Sequence, residues 1–169
     1  MKHTLSLFIF LLSSSLSYAQ TCPNKLPASS PNDDFQIHSD GTVTHLRTGL
    51  MWSRCSLGQT HKEDLCIGEA SEVDWSFGTE AATASNLAGH NDWRLPDITE
   101  IETLIERACY DPAINLTVFP NTPSLFYWSN TPDIYGPGPA WRLFFYYGDI
   151  YYYSYKHNQS AVRLVRNVK

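Results

Sequence analysis

Residues 92–106 read DWRLPDITEIETLIE, and the arrangement of the whole chain follows from this stretch. Trp93 and Leu95 stand two positions apart, so an extended backbone points an aromatic and an aliphatic group the same way. Pro96 has no backbone donor and disfavours helix at Leu95, which closes the extended part. Asp97 precedes Glu100 by three residues, the spacing of a capping box in its carboxylate form. Ile98, Ile101, Leu104 and Ile105 then recur at helical spacing and leave Glu102, Glu106 and Arg107 on the other side. The stretch therefore predicts a strand, a sharp corner and an amphipathic helix over 98–108. Arg94, between the two packed residues, is expected to bond loop carbonyls or a carboxylate.

Upstream, residues 35–38 and 42–45 flank Ser39-Asp40-Gly41 as two short strands around a turn, and 50–53 forms a third. Leu50 and Trp52 share a face and should enter the core. Residues 63–72 are acidic and read as loop. Asp74 can cap a helix over 75–87, favoured by Ala81, Ala82 and Ala84, opposed by Gly78, and ended by a left-handed Gly89. Downstream, 110–139 is proline-rich loop with a strand near 127–129. A meander follows: strand 140–146, turn 147–149, strand 150–155, turn 156–160 and strand 161–166. The class is α+β, two helices packed on a small, twisted, mainly antiparallel sheet.

Several of these stretches also carry a resemblance. DGTVTHLRTGLMWSRC (40–55), AGHNDWRLPDITEIETLI (88–105), AINLTVFPNTPSLFYWSN (113–130), AWRLFFYYGD (140–149) and AVRLVR (161–166) resemble, in order, the Lcl C-terminal domain family, named for a collagen-like bacterial adhesin. The resemblance spans residues 35–166 and implies a C-type-lectin-like fold, related at a distance to formylglycine-generating enzyme. The family's best-known member binds sulfated glycans on host surfaces. No Gly-X-Y run or heptad is present, so that member's trimerising stalk has no counterpart here.

The chain has 169 residues, 43% hydrophobic and 17% charged, which suits one globular domain with a real core. Its formal charge is −5, and loss of Lys2 with a leader makes it −6. That balance argues against nucleic acid and offers no general attraction to sulfated glycans. Residues 1–19 read as a secretory signal peptide: Lys2, an apolar run over 5–12 too short to span a bilayer, then Ser17-Tyr18-Ala19. Ala19-Gln20-Thr21 lacks the small residue a lipidated Cys22 requires, so a soluble form cleaved after Ala19, periplasmic or at the cell surface, is expected. Residues 20–34 then make an extended arm and 35–169 the domain.

Four cysteines in an exported chain are most simply two disulfides, with three connectivities open. Cys55 with Cys66 would close a polar, Gly-containing loop, worth up to roughly 3 kcal/mol in the entropy model. Cys22 with Cys109 would then staple the arm to the end of the main helix. A metal site, the alternative, lacks any CxxC or nearby CxxH pairing.

Catalytic signals are absent from the sequence. Formylglycine-generating enzyme uses a late cysteine pair, whereas no cysteine follows Cys109 here. There is no G-x-S-x-G elbow, and His38, His45, His61, His90 and His157 are scattered. No Glu/Gln-Pro-Asn/Asp tripeptide supplies calcium ligands; Asn91-Asp92-Trp93 departs from that order, and Asp92 is expected to bond backbone at the corner. No cofactor or metal is expected. The distinctive feature is the set Tyr146, Tyr147, Tyr151, Tyr152, Tyr153 and Tyr155 on one hairpin, in a chain that is 14% aromatic. Period-2 geometry sends Tyr151, Tyr153 and Tyr155 to one face and Tyr152 to the other, and a small domain cannot bury both. With Arg142 and Lys156 nearby, Tyr146, Tyr151, Tyr153 and Tyr155 suit stacking on sugars or docking a protein. The competing explanation is that tyrosine favours strands and pairs well across them. Anion recognition by Arg94, Arg163 and Arg166 is the alternative use of the cations. The expectation is an exported, non-catalytic domain that binds surface glycans or envelope and host proteins. Its rivals are a structural subunit of a surface assembly and an enzyme reusing the fold.

Overall fold

Three short strands open the fold: β1 (Phe35–Ile37), β2 (Thr42–His45) and β3 (Leu50–Ser53). A small hairpin follows, β4 (Thr60–Lys62) and β5 (Leu65–Ile67), then helices α1 (Trp75–Thr83) and α2 (Ile98–Glu102). The second half holds β6 (Phe126–Pro132), β7 (Pro139–Phe144), β8 (Asp149–Tyr155) and β9 (Val165–Asn167). The computed structural model describes residues 20–23, 26–132, 136 and 138–168, so the signal peptide expected over 1–19 lies outside the described residues.

Two helices and antiparallel strands give the expected α+β class, but the single sheet is corrected to three: β1-β2-β3-β9, β4-β5 and β6-β7-β8. The last strand is correspondingly shorter than 161–166. Ala161 still bridges Tyr127 of β6, whereas Val165 already pairs with Trp52 of β3, so the chain changes sheets in between. The side chains of that crossing explain the split. Val162 and Leu164 pack with Trp93, Leu95, Trp128 and Ala82 in an apolar cluster. The larger cluster joins Val43, Leu50 and Trp52 to Ile98, Ile101 and Leu104 at α2 and to Tyr127, Leu143 and Phe145. Trp93 and Leu95 are each 2% exposed, as their shared parity requires, and burying such side chains contributes roughly 1.5–3 kcal/mol apiece.

Both helices are shorter than expected. The Asp74 cap forms, its carboxylate accepting from Phe77 N at 2.9 Å, but α1 stops at Thr83 rather than 87. Gly89 does take a left-handed φ of 76°, though it closes a separate turn after Ala88, itself at 53°. Gly78, unfavourable by propensity, has a packing role: a Cβ there would sit 3.0 Å from Val162 Cγ2. α2 stops at Glu102 because tertiary partners replace the helical ones. Ile105 bridges Ile114, and Glu106 N donates to Ala113 O at 3.1 Å. The Glu106 carboxylate accepts from Ser29 N, Ser30 N and Ala108 N, which ties the N-terminal arm down.

The acidic segment 63–72 is partly strand, not loop. Glu63 and Asp64, at φ 50° and 64°, form the two-residue turn between β4 and β5, the sign pair that matches strand twist. Both expected disulfides are present. Cys55–Cys66 fixes β5 below β3, and Cys22–Cys109 fixes the arm beside Tyr110.

Candidate functional site

The corner is a structural unit. Asp97 accepts from the backbone at Glu100, and Glu100 in turn accepts from Asp97 N at 2.7 Å, completing the capping box. Arg94 reaches over the corner and donates twice to Glu100, at 2.6 and 2.7 Å, and to Leu95 O. Burial is the largest single influence and works against ionising Glu100, but the Arg94 hydrogen bonds, the Asp97 backbone N–H and the Arg94 charge together hold its carboxyl below the usual range. Pro96 O accepts from Asn130 N, so the corner is also tied to β6.

Arg54, Arg163 and Arg166 are turned inward as well. Asp92 receives Nε and Nη2 of Arg166 at 2.6 and 3.2 Å, a bidentate pair across the fold. Arg163 is fully buried and donates to Ser53 O, Arg54 O, Ser56 Oγ and Thr122 Oγ1. Arg54, also buried, bonds Val118 O and Asp64. These guanidiniums serve the fold and are not presented for an anion.

The tyrosine hairpin is exposed. Tyr147, Tyr151, Tyr152, Tyr153 and Tyr155 keep 61, 42, 58, 52 and 49% of their surface open. Their distribution over the two faces differs from strict alternation. β7 and β8 pair Arg142 with Tyr151 and Ala140 with Ser154, so three steps on β8 oppose two on β7. Directly opposed residues share a face, and Ala140 and Arg142 share one by period 2. Tyr151 and buried Ser154 therefore lie on the same side, and Tyr153 and Tyr155, flanking Ser154, lie on the other. The bulge separates the three rings that regular strand geometry groups together. Ring contacts agree: Tyr151 meets Phe126 at 5.0 Å and Phe144 at 6.4 Å, whereas Tyr153 meets Tyr155 at 5.4 Å. Tyr152 faces Trp141 at 6.0 Å.

The two cations expected beside the tyrosines are present but engaged. Arg142 lies over Phe126 at 4.3 Å and Trp128 at 5.3 Å and donates to Ser160 Oγ. Burial pushes its guanidinium down, with the neighbouring Tyr151 acting the other way. Lys156 Nζ sits 4.0 Å over the ring of Trp75. Tyr146 is half-buried on Phe144 and Tyr147, and the negative charge of Asp111 pushes its phenol up.

Sequence reading missed Tyr110, Phe126 and Phe144. Tyr110 comes within 6.0 Å of Tyr147 and 6.5 Å of Tyr146, brought there by a segment that Cys109 anchors. A cavity of about 320 Å³ opens beside it, between Tyr147, Arg107 and the arm residues Pro23 and Leu26. Phe144, half-buried between buried Leu143 and Phe145, was detectable from period 2, whereas β6 buries Tyr127, Trp128 and Ser129 in a row and gives no such sign for Phe126. Among the described residues no three His, Cys, Asp or Glu side chains come together as a metal site needs. Among the same residues no helix is long and apolar enough to cross a membrane.

A search of curated proteins finds no match to this chain. A family model described as the Lcl C-terminal domain matches residues 41–166, from the turn between β1 and β2 into β9. That match takes in both clusters of the core except Phe35, together with the corner and the tyrosine hairpin, and on it the chain belongs to the Lcl C-terminal domain family.

Proposed function

We propose that this chain is an exported, non-catalytic binding domain with a C-type-lectin-like arrangement, and that its ligand is a glycan held on the β7–β8 hairpin. The observation that carries the reading is the exposure of five tyrosines on that hairpin, each 42% open or more. An exposed phenol ring offers an apolar face for the CH groups of a sugar and a hydroxyl at its rim for the sugar's own. The internal use of Arg54, Arg94, Arg163 and Arg166 favours an uncharged glycan over a sulfated one, and the formal charge of −5 acts in the same direction. Two disulfides favour the exported reading, since such bonds persist in oxidising compartments.

The test is a glycan array probed with the oxidised mature protein, with and without chelator, beside the triple variant Tyr151→Ser, Tyr153→Ser, Tyr155→Ser. Binding that survives chelator and is lost in the triple variant, with the thermal transition nearly unchanged, is the expected result. Copurification with envelope proteins and no glycan signal would replace this reading with the structural-subunit role. Unfolding of the triple variant would assign the three rings to the core.

A further inference from the structure

The exposed rings on the Tyr151 face of β8 have an internal order. Phe126, Phe144 and Tyr146 form a stack, with centroids 4.4 and 5.8 Å apart and planes within 16° and 22°. Rings stacked this way turn their faces to each other and keep only edges for a ligand. Two rings set almost at right angles stand against the stack. Tyr151 stands 5.0 Å from Phe126 at 81°, and Tyr147 stands 4.5 Å from Tyr146 at 73°. These two are open to solvent, at 42 and 61%. Past Tyr147 lies the cavity of about 320 Å³ bounded by Tyr110, Arg107, Pro23 and Leu26. That volume is at the lower end for small-ligand sites and admits a ring-sized group, not a folded surface. Among the described residues that line it, the charged one, Arg107, already holds Glu102 at 3.1 Å.

We infer that Tyr151 and Tyr147 are two platforms of one extended site, whose end is the cavity beside Tyr110, and that its occupant is a linear, uncharged oligosaccharide. The inference rests on the glycan reading above and narrows it in three respects. Along the line of ring contacts Phe144 and Tyr146 stand between the platforms, so the inferred ligand is one long enough to cross both. The paired Arg107 selects against a ligand that needs a free cation. Tyr153 and Tyr155, on the opposite face, lie outside the site. The arm contributes the wall formed by Pro23 and Leu26, and Cys22–Cys109 keeps that wall in place.

The experiment is calorimetric titration of the oxidised protein with cellohexaose and chitohexaose and with the matching disaccharides. The expected result is that at least one hexamer binds about tenfold or more tighter than its dimer. Tyr147→Ala and Leu26→Asp should each remove about that tenfold gain for the hexamer while leaving the weak dimer affinity as it is. Both residues are more than 60% exposed, at 61 and 66%, so the variants should keep the parent's thermal transition. Equal affinity for dimer and hexamer, indifference to Tyr147→Ala, or displacement of the hexamer by a sulfated oligosaccharide at equal concentration would each overturn the extended site. Binding on the array that ignores Tyr147 and Leu26 sinks the extended site alone, whereas silence across the whole array sinks the glycan reading with it.

Discussion

Replacing Arg163 with methionine tests whether this cation belongs to the fold or to a ligand. The side chain is 0% exposed, its guanidinium lies 4.8 Å over Phe119, and it bonds two backbone carbonyls and two hydroxyls. Methionine fills much of the stem volume, so the cost is mainly polar. The hydroxyls have other partners, since Ser56 Oγ bonds Tyr127 Oη at 2.7 Å and Thr122 Oγ1 donates to Phe119 O at 2.8 Å. The carbonyls of Ser53 and Arg54 lose a charged donor inside the protein, at roughly 1–3 kcal/mol each. Removing a cation that burial disfavours returns part of that, because desolvation already pushes its guanidinium down. The net expectation is a loss of about 3 kcal/mol, or about 1.5 M in urea midpoint at an unchanged slope. Arg163→Lys should lose about half as much, because one ammonium can still reach the two carbonyls that Nη1 now serves. Urea unfolding followed by tryptophan fluorescence reads both. A methionine variant within about 1 kcal/mol of the parent, or a lysine variant no better than methionine, would refute the structural role.

Three further outcomes are expected. His45 is 1% exposed and stacked on Phe35 at 4.7 Å; burial and then the charge of Arg47 lower its pKa, with Asp34 opposing. The unfolded chain therefore binds a proton that the fold resists, so stability should fall as pH drops below the ordinary value of 6.5, and His45→Phe should flatten that part of a melting-temperature profile. Gly148, at φ 79°, would bring an added Cβ within 2.7 Å of Ile105 Cγ2, so Gly148→Ala should cost roughly 1–3 kcal/mol in the same urea assay, whereas a neutral result would mean the turn yields freely. Replacing Cys22 and Cys109 by serine should destabilise by about 4.5 kcal/mol and replacing Cys55 and Cys66 by about 3, from separations of 87 and 11 residues; the reverse order would show that loop closure is not the controlling effect.

What could be read from the sequence was local. Trp93, Leu95, Asp97 and Glu100 are within eight residues of one another, and period 2 followed by a capping box fixes their geometry without distant partners. The lengths of the helices were not local. α2 ends because Ile105 and Glu106 find Ile114, Ala113, Ser29 and Ser30, and nothing in the apolar spacing of 98–108 registers those contacts. The arginines fail for the same reason: Arg166 meets Asp92 across 74 positions and Arg163 meets Ser53 O across 110. A cation near a chain end reads as available until the fold supplies its acceptors.

The tyrosine hairpin combines both situations. Its exposure follows from composition, because six tyrosines on one hairpin exceed what two small faces can bury. Its facing depends on one additional residue in β8 between Tyr151 and Ser154, which alternation has no means of placing. The consequence is functional as well as geometric. With regular pairing, Tyr151, Tyr153 and Tyr155 would make a single three-ring patch on β8 alone. With the bulge, Tyr151 joins Phe126 of β6 and Phe144 of β7, and the aromatic row runs across the strands toward Tyr147 and Tyr110. A row of that direction leads off the sheet into the space beside the disulfide-held arm, so on the glycan reading proposed above the arm belongs to the binding surface and is not only a tether.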